Sequence, residues 1–202
     1  MVEITAELCQ ILENGGVVAY PTSTLPGLGC LPTKKGLDTL FEIKNRPVDQ
    51  PVSLGVASIK QASDLVEVPQ FAIELLENFP LGSITLILDA KKVLDKRLGA
   101  KRVAVRVFAN TIAKSLAEVV GPITATSANP SGVEPSNNVS LAAKSLNLEQ
   151  YSILDGDCPG GKGSTILSIE KNTTEKAGFS VTIMREGVVP TRSVMEWLKS
   201  RN

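Results

Sequence analysis

Short apolar runs alternate along the chain with stretches in which apolar residues recur at helical spacing. Leu8 and Leu12 fall on one face of the first such stretch, which Gly15 ends. Asn110 stands before another as an N-cap residue, and we expect Thr191 to cap the last helix. The pattern predicts helices over 5–14, 36–44, 58–65, 69–79, 110–120, 139–146 and after 191, and strands over 17–20, 52–56, 84–88, 103–107, 123–126, 151–154, 165–169 and 179–184.

This alternation of elements is typical of an α/β protein in which helices cover a sheet. The last predicted strands follow one another with few helices between them, so we expect a mixed rather than a purely parallel sheet. The length of 202 residues suits one large domain, and no repeat, long linker or low-complexity tract divides the chain. We therefore predict a single domain over 1–202.

The composition excludes several classes of protein. Hydrophobic residues make up 43% of the chain and charged residues 21%, which is ordinary for a globular protein. Lys plus Arg and Asp plus Glu both number 21, so no net charge draws the whole chain to nucleic acid or a membrane. The chain has no histidine, which excludes Ser-His-Asp and Cys-His catalysis, a histidine general base and a histidine-ligated zinc site.

The cysteines and the first residues indicate the compartment. Cys9, Cys30 and Cys158 are odd in number and widely spaced, which favours reduced thiols over a disulfide framework or a zinc site. The N-terminal segment is acidic where a signal peptide is basic, and no apolar run approaches the length of a membrane span. We expect a cytoplasmic protein without a membrane partner.

Three loops rich in Gly, Pro, Ser, Thr and Asn follow predicted strands directly, over 21–29, 127–138 and 155–165. Ligands usually bind at strand ends in open α/β sheets, and although most loops contain such residues, three together favour a ligand site. Residues 156–162 nearly match a phosphate-binding P-loop. However, Gly163 replaces the required Ser or Thr and a strand follows instead of a helix, so we reject the P-loop and keep an anion-binding backbone nest as an alternative.

The segment Lys44-Asn45-Arg46-Pro47 has two interpretations. Pro47 pushes Arg46 into an extended conformation, and if Lys44 lies beyond the end of the helix, the two cations point to the same side. They would then suit a polyphosphate or a carboxylate. Alternatively, both cations complement the C-terminus of the helix and face water, which the spacing alone slightly favours.

The segment Ser127-Ala128-Asn129-Pro130 repeats this geometry. Pro130 makes Asn129 extended, so Ser127 and Asn129 can present a hydroxyl and an amide side by side. These groups can bind phosphate oxygens or hold a metal-bound water. They can equally form a turn with the local backbone.

Arginines also occur within and at the end of predicted strands. Arg106 lies on the face of its strand opposite to Val105 and Val107, and Arg185 follows another strand. An arginine on a covered face needs an anion, and a substrate carboxylate would serve. Residues 91–106 are rich in Lys and Arg and could form an RNA-facing patch, although a solvated loop is the simpler interpretation.

The polar segments recur in one order along the chain: Tyr20-Pro21-Thr22-Ser23-Thr24 with Gly27-Leu28-Gly29, Lys44-Asn45-Arg46-Pro47, Ile84-Thr85-Leu86-Ile87-Leu88, Val103-Ala104-Val105-Arg106, Thr126-Ser127-Ala128-Asn129 with Ser131-Gly132, Asp155-Gly156 with Ser164-Thr165, and Arg185-Glu186-Gly187. Together they resemble the YrdC/TsaC family of threonylcarbamoyl-adenylate synthases. The resemblance spans Gly15 to Gly187. The K-x-R and S-x-N pairs are its specific signatures, whereas the glycine matches are weak.

The resemblance implies a fold and a reaction. The fold is a twisted, mostly mixed open sheet with flanking helices around a large concave, positive cavity, in the single-domain form. The reaction joins L-threonine, bicarbonate and ATP into threonylcarbamoyl-adenylate and pyrophosphate. It is an early step in making the t6A base of tRNA, so t6A transferase proteins would act downstream.

The resemblance also implies roles for matched residues. Thr24, Arg106 and Ser164 would hold threonine, and Lys44 and Arg46 would be the catalytic residues. The residues implied to bind ATP are Lys44, Arg46, Ser127, Asn129, Ser136 and Arg185. Mg²⁺ would enter with the ATP phosphates, without an assigned side-chain ligand, because it prefers hard oxygen donors.

The sequence departs from the family pattern mainly on the threonine side. Pro26 stands where the family usually has tyrosine, Gly55 where many members have histidine, and Gly163 where glutamate is common. Two other hypotheses therefore stay open: carbamoyl-adenylate chemistry on a different second substrate, and a non-catalytic module that binds double-stranded RNA. Zero net charge and only one Trp, two Tyr and five Phe disfavour RNA binding, which we expect to be weak.

Overall fold

The computed structural model describes residues 4–175 and 178–201. The helices in this part of the chain are α1 Ala6–Glu13, α2 Lys34–Lys44, α3 Ile59–Ser63, α4 Gln70–Asn78, α5 Thr111–Val120, α6 Val139–Ser145 and α7 Thr191–Lys199. The strands are β1 Val18–Tyr20, β2 Gly27–Gly29, β3 Ser53–Val56, β4 Ile84–Asp89, β5 Arg102–Val107, β6 Ile123–Ser127, β7 Thr165–Lys171 and β8 Phe179–Arg185. No helix in the described ranges combines the length and apolar character that a membrane crossing requires.

The strands form one open, mixed sheet in the order β1-β2-β6-β3-β5-β4-β7-β8. β3 pairs with β5, and β4 with β7, in parallel, whereas the other neighbours are antiparallel. The expectation of a mixed α/β sheet with flanking helices is therefore confirmed. β5 lies near the middle of the sheet, and its residues are buried or partly buried.

Polar caps fix where most helices begin. Thr5, Thr33, Ser58 and Asn138 each accept a hydrogen bond from a backbone N–H in the first turn of the helix that follows. Asn110 does so twice at the start of α5, as its position in the sequence predicts.

The predicted cap at Thr191 is wrong. Pro190 precedes α7, and Thr191 is its first helical residue. The Thr191 N–H instead donates to the carboxylate of Glu186, which satisfies the orphan donor from outside the helix.

Two short segments also differ from the sequence pattern. Residues 27–29 form β2 between β1 and β6, although they contain two glycines. A Cβ atom at Gly27 would come within 2.6 Å of the Tyr20 ring, which shows that this ring lies over the segment. The predicted strand 151–154 is wrong: Gln150–Ser152 is a 3₁₀ turn, and Ile153 makes a single bridge to Ala19.

The sheet separates two main apolar clusters. Val103, Val105 and Val107 point into the larger cluster, with side chains of α2, α4 and α7. Tyr20 and Phe108 belong to the smaller cluster with α1 and α5, and their rings meet edge to face with centroids 5.6 Å apart. Of the free thiols, Cys30 and Cys158 are buried and Cys9 is partly buried.

Gly55 shows how tightly the face of Arg106 is packed. Gly55 pairs with Arg106 in the register of β3 and β5, and a Cβ atom there would lie 1.9 Å from Cζ of Phe108. The Phe108 ring thus occupies the space into which a larger residue at position 55 would extend.

We predict that Gly55→Ala lowers the free energy of unfolding by about 1–3 kcal/mol, because the added methyl must displace the Phe108 ring. Urea unfolding followed by circular dichroism measures the loss. Phe108→Leu is the control, and the double variant should lose less stability than the sum of the two single losses. Strictly additive losses would contradict the predicted contact.

Candidate active site

A cavity of about 350 Å³ opens on the face of the sheet that carries Arg106. It lies where the β1–β2 loop, the end of β6, the segment before β7 and the end of β8 meet. Three polar loops were singled out in the sequence. Residues of the loop 21–29 and of the end of the loop 155–165 line the cavity, and Ser127 lines it from the loop 127–138. The structure thus brings parts of all three loops together.

Arg106 lies at the wall of this cavity and is only 8% exposed. Its Nε donates to the carbonyl of Gly82 at 2.8 Å, and its Nη2 donates to the hydroxyls of Thr24 and Ser23 at 3.0 and 3.2 Å. Nη1 has no partner among the described residues. These contacts orient the guanidinium, but they supply no negative charge.

Arg46 and Arg185 line the same cavity. Arg46 donates through Nε and Nη2 to the carbonyls of Gln50 and Pro51, and Arg185 donates through Nη2 to the carbonyl of Ser164. Within the described ranges, none of the three cavity arginines forms an ion pair. We call Arg46, Arg106 and Arg185 the arginine triad.

Burial lowers the pKa of each guanidinium in the arginine triad, and the charge of Arg185 lowers the pKa of Arg46 and Arg106 further. Arginine nevertheless stays protonated in proteins. The cavity therefore holds positive charge that repels itself until an anion enters. A carboxylate or a polyphosphate supplies both that charge and acceptors for the free N–H groups.

Lys44 does not point to the cavity beside Arg46, so the predicted parallel pair is wrong in its geometry. Lys44 is the last residue of α2, and Asn45 ends the helix in the left-handed conformation. Nζ of Lys44 is buried and donates to the carbonyls of Ser127 and Asn129 at 2.6 and 2.5 Å. The alternative that Lys44 faces water is wrong for the same reason.

Ser127 and Asn129 also differ from the side-by-side arrangement. Ser127 lines the cavity. The Nδ2 group of Asn129 donates to the carbonyls of Pro130 and Val133, which is the local turn foreseen as the alternative. Its Oδ1 atom is buried and has no partner among the described groups.

Thr24 and Ser164 line the cavity, whereas Ser136 lies outside its lining. The Thr24 hydroxyl contacts Arg106 and lies 3.3 Å from that of Thr22. The Ser164 hydroxyl lies 2.7 Å from that of Thr85. The Ser136 hydroxyl accepts the Asn138 N–H, which orders the entry to α6.

Sequence reasoning gave no role to two charged residues of the lining, Lys162 and Glu186. Their side chains form an ion pair of 3.1 Å. The Thr191 N–H and then Lys162 lower the pKa of Glu186 to about 2, so its carboxylate stays ionised. The near-match to a P-loop marked Lys162, and β7 follows at Thr165 in place of the P-loop helix, so rejection of that motif is confirmed.

The departures at 55 and 163 have physical explanations. At Gly55, the Phe108 ring fills the space, as described above. At Gly163, a Cβ atom would lie 3.1 Å from Nη2 of Arg185, so glycine lets this guanidinium approach the backbone. Pro26 lines the cavity, and its carbonyl accepts the Ala128 N–H.

Comparison with known proteins places these features in context. The Sua5/YciO/YrdC family model, described as "Telomere recombination", matches residues 10–187. A threonylcarbamoyl-AMP synthase of Pyrococcus abyssi is 31% identical over 188 residues, which are 91% of this chain and 54% of that protein. The chain thus spans about half of that relative. A threonylcarbamoyl-AMP synthase of Photobacterium profundum is 29% identical over 189 residues, 90% of this chain and 97% of that protein.

A solved structure agrees with the sequence matches. The crystal structure of P. abyssi Sua5 complexed with L-threonine superposes with a TM-score of 0.80 and 31% identity, covering 93% of this chain and 55% of that one. The fold of the described residues is therefore that of a protein solved with an amino acid bound.

We predict that inorganic tripolyphosphate binds the cavity and raises the melting temperature. Arg46→Met and Arg185→Met should each weaken binding about tenfold or more, because a charge-assisted hydrogen bond is lost. Isothermal titration calorimetry measures the dissociation constant. The control is Arg192→Met, which removes an exposed arginine that pairs with Glu196 on α7. Equal affinity in all four proteins would place the anion site elsewhere.

We predict that Lys44 makes stability rise with pH. Burial and then the charge of Arg46 lower its pKa from 10.5 to about 8. The unfolded chain therefore binds more protons than the folded chain between these values, and unfolding becomes harder as the pH rises, by at most about 1.4 kcal/mol per unit. Urea unfolding of the parent and of Lys44→Met from pH 7 to 10 tests this, because other titrations cancel. A constant difference would assign Lys44 an ordinary pKa.

Proposed function

The chain belongs to the Sua5/YciO/YrdC family, and from that membership we propose that it is a threonylcarbamoyl-AMP synthase. It would join L-threonine, bicarbonate and ATP into threonylcarbamoyl-AMP and pyrophosphate for the t6A modification of tRNA. The observation that carries the proposal is the arginine triad, whose charges meet in one cavity and form no ion pair with a carboxylate in the part of the chain that the structure describes. Such a cavity suits a substrate carboxylate and a polyphosphate at the same time.

The members of the arginine triad differ in burial, and this difference suits two kinds of anion. Arg106 is the most buried member of the triad. Its Nη1, which has no partner among the residues described, would bind the threonine carboxylate together with the hydroxyls of Thr24 and Ser164. Arg46 and Arg185 are more exposed and would bind the phosphates of ATP. Planar guanidiniums match both groups because they can donate two parallel hydrogen bonds.

The reaction asks the protein for position and charge more than for an acid or base. The threonine amine and bicarbonate give a carbamate and water. A carbamate oxygen then attacks the α-phosphorus of ATP, and the bond to the β-phosphate oxygen breaks to release pyrophosphate. Holding the reactants together and stabilising charge on the transferred group accelerate such a step, and a chain with no histidine can do both.

Mg²⁺ would accompany ATP in this proposal. No group of three His, Cys, Asp or Glu side chains in the described ranges could hold a metal ion. The Ser127 hydroxyl lines the cavity and is a hard oxygen donor that would suit Mg²⁺, mainly through its water and phosphate ligands, whereas the buried Oδ1 of Asn129 lies outside the cavity lining. The ion would neutralise part of the negative charge on the phosphates.

Lys44 would support this site from beneath. Its ammonium joins the carbonyls of Ser127 and Asn129, so it ties the end of α2 to the loop after β6. We propose that it keeps Ser127 in place for the phosphates. The direct ATP contacts expected of Lys44, Asn129 and Ser136, which all lie outside the cavity lining, stay predictions.

Three further expectations also stay predictions: a cytoplasmic location, t6A transferase proteins downstream, and weak RNA binding. For RNA, Arg97 and Arg102 of the basic segment already pair with acidic side chains, Arg97 with Asp38 and Asp95. This pairing reduces the charge that the segment offers to a phosphate backbone.

We predict that the protein releases pyrophosphate from ATP and Mg²⁺ only when both L-threonine and bicarbonate are present. The nucleotide product should have the mass of threonylcarbamoyl-AMP. Arg106→Met should raise the KM for threonine about tenfold or more with a smaller change for ATP, and Arg46→Met should do the reverse, because each loses a charge-assisted hydrogen bond. Arg192→Met serves as the control and should behave like the parent.

The pattern of substrate dependence separates the other hypotheses. ATP binding without threonine-dependent turnover would overturn the proposed activity and favour a different second substrate. A gel shift with double-stranded RNA that survives Arg46→Ala, together with no ATP binding, would favour the RNA-binding module instead.

A further inference from the structure

Thr85 and Ser164 form a buried pair of hydroxyls at the edge of the cavity. Their oxygen atoms are 2.7 Å apart, Thr85 is 1% exposed, and neither hydroxyl has another partner among the described residues. Ser164 lines the cavity, whereas Thr85 does not. The hydroxyl of the cavity residue Ser164 thus contacts the Thr85 hydroxyl, which lies outside the cavity lining.

Hydrogen bonds hold the backbone around this pair. What remains to be determined is the direction in which the Ser164 hydroxyl proton points. Thr165 N donates to the carbonyl of Ser83 at 2.9 Å, and Thr85 pairs with Ile166 in the ladder of β4 and β7. Arg185 donates to the carbonyl of Ser164.

Burial decides which hydroxyl donates. The Thr85 hydroxyl proton has one acceptor within reach, the oxygen of Ser164, and a buried donor that is left unpaired is costly. Thr85 therefore donates and Ser164 accepts. The proton of Ser164 is then free to turn towards the cavity, and it needs an acceptor there.

We propose that Thr85 is a positioning residue, which fixes the Ser164 hydroxyl as a donor to the carboxylate of the amino-acid substrate. This inference rests on the proposed function. A carboxylate is the fitting ligand because it only accepts hydrogen bonds when ionised, and Arg106 offers it the opposite charge in the same cavity. Thr85 itself touches neither substrate.

Thr165 illustrates the alternative, in which a buried hydroxyl serves only the fold. Its hydroxyl donates to the carbonyl of Val189 and accepts the N–H groups of Gly187 and Val189, so all its partners are backbone atoms. The Thr85 hydroxyl has no backbone partner among the described residues. Its loss should therefore be felt at Ser164 rather than in the chain path.

The test compares Thr85→Val, which keeps the shape of the side chain, with Thr85→Ser, which keeps the hydroxyl. Thr85→Val should raise the KM for L-threonine about 5–20-fold, the usual worth of one hydrogen bond, with kcat and the KM for ATP changed less than about twofold. Thr85→Ser should restore the threonine KM. The matched control is Ser168→Ala, which removes a buried β7 hydroxyl bonded to Arg102.

Each result bears on the inference. An unchanged threonine KM in Thr85→Val overturns it, and so does an equal loss for both substrates, or a loss that Thr85→Ser fails to restore. If the parent releases no pyrophosphate, the proposed function fails. Calorimetric titration with L-threonine then tests the role of Thr85, by comparing the dissociation constants of the parent and the Thr85 variants. If the parent does not bind L-threonine either, the inference is wrong as well.

Discussion

The positive charge of Arg106, buried at the wall of the cavity, is the constraint on which the site depends. Removing a guanidinium from water costs several kcal/mol when no opposite charge is near. Here a carbonyl and two hydroxyls receive its N–H groups, but they carry no charge. The fold therefore leaves a buried positive charge uncompensated, and an anion in the cavity would neutralise it.

The sheet explains how the fold tolerates this arginine. β5 is a central strand, so Arg106 alternates with valines that fill the larger apolar cluster on the other face. Gly55 lies beside Arg106 in the neighbouring strand, and the Phe108 ring covers the glycine. Apolar packing on one face thus anchors a strand whose opposite face presents a cation to the cavity.

Local patterns predicted what depends on local physics. The cap at Asn110, the helices of regular spacing and the mixed sheet follow from the period of apolar residues and from the hydroxyl and amide caps. The apolar pattern does not predict β2, because its glycines have no strand preference. The Tyr20 ring that lies over them explains why this strand contains glycines. Lys44 was misplaced because its partners, the carbonyls of Ser127 and Asn129, lie more than eighty residues away in the sequence.

The lining of the cavity contains charged guanidinium groups and neutral hydroxyl groups, which have different effects on a ligand. The arginine triad attracts anions but specifies little, because a guanidinium accepts a carboxylate and a phosphate alike. Glu186 does not cancel the triad, because its carboxylate is already taken by Lys162 and by the Thr191 N–H at the start of α7. Under the proposed function, discrimination would come from neutral groups such as the hydroxyls of Thr24 and Ser164, which contact the Arg106 guanidinium and the Thr85 hydroxyl respectively. In a chain without histidine, such hydroxyls would be the groups that let the proposed site distinguish one anion from another.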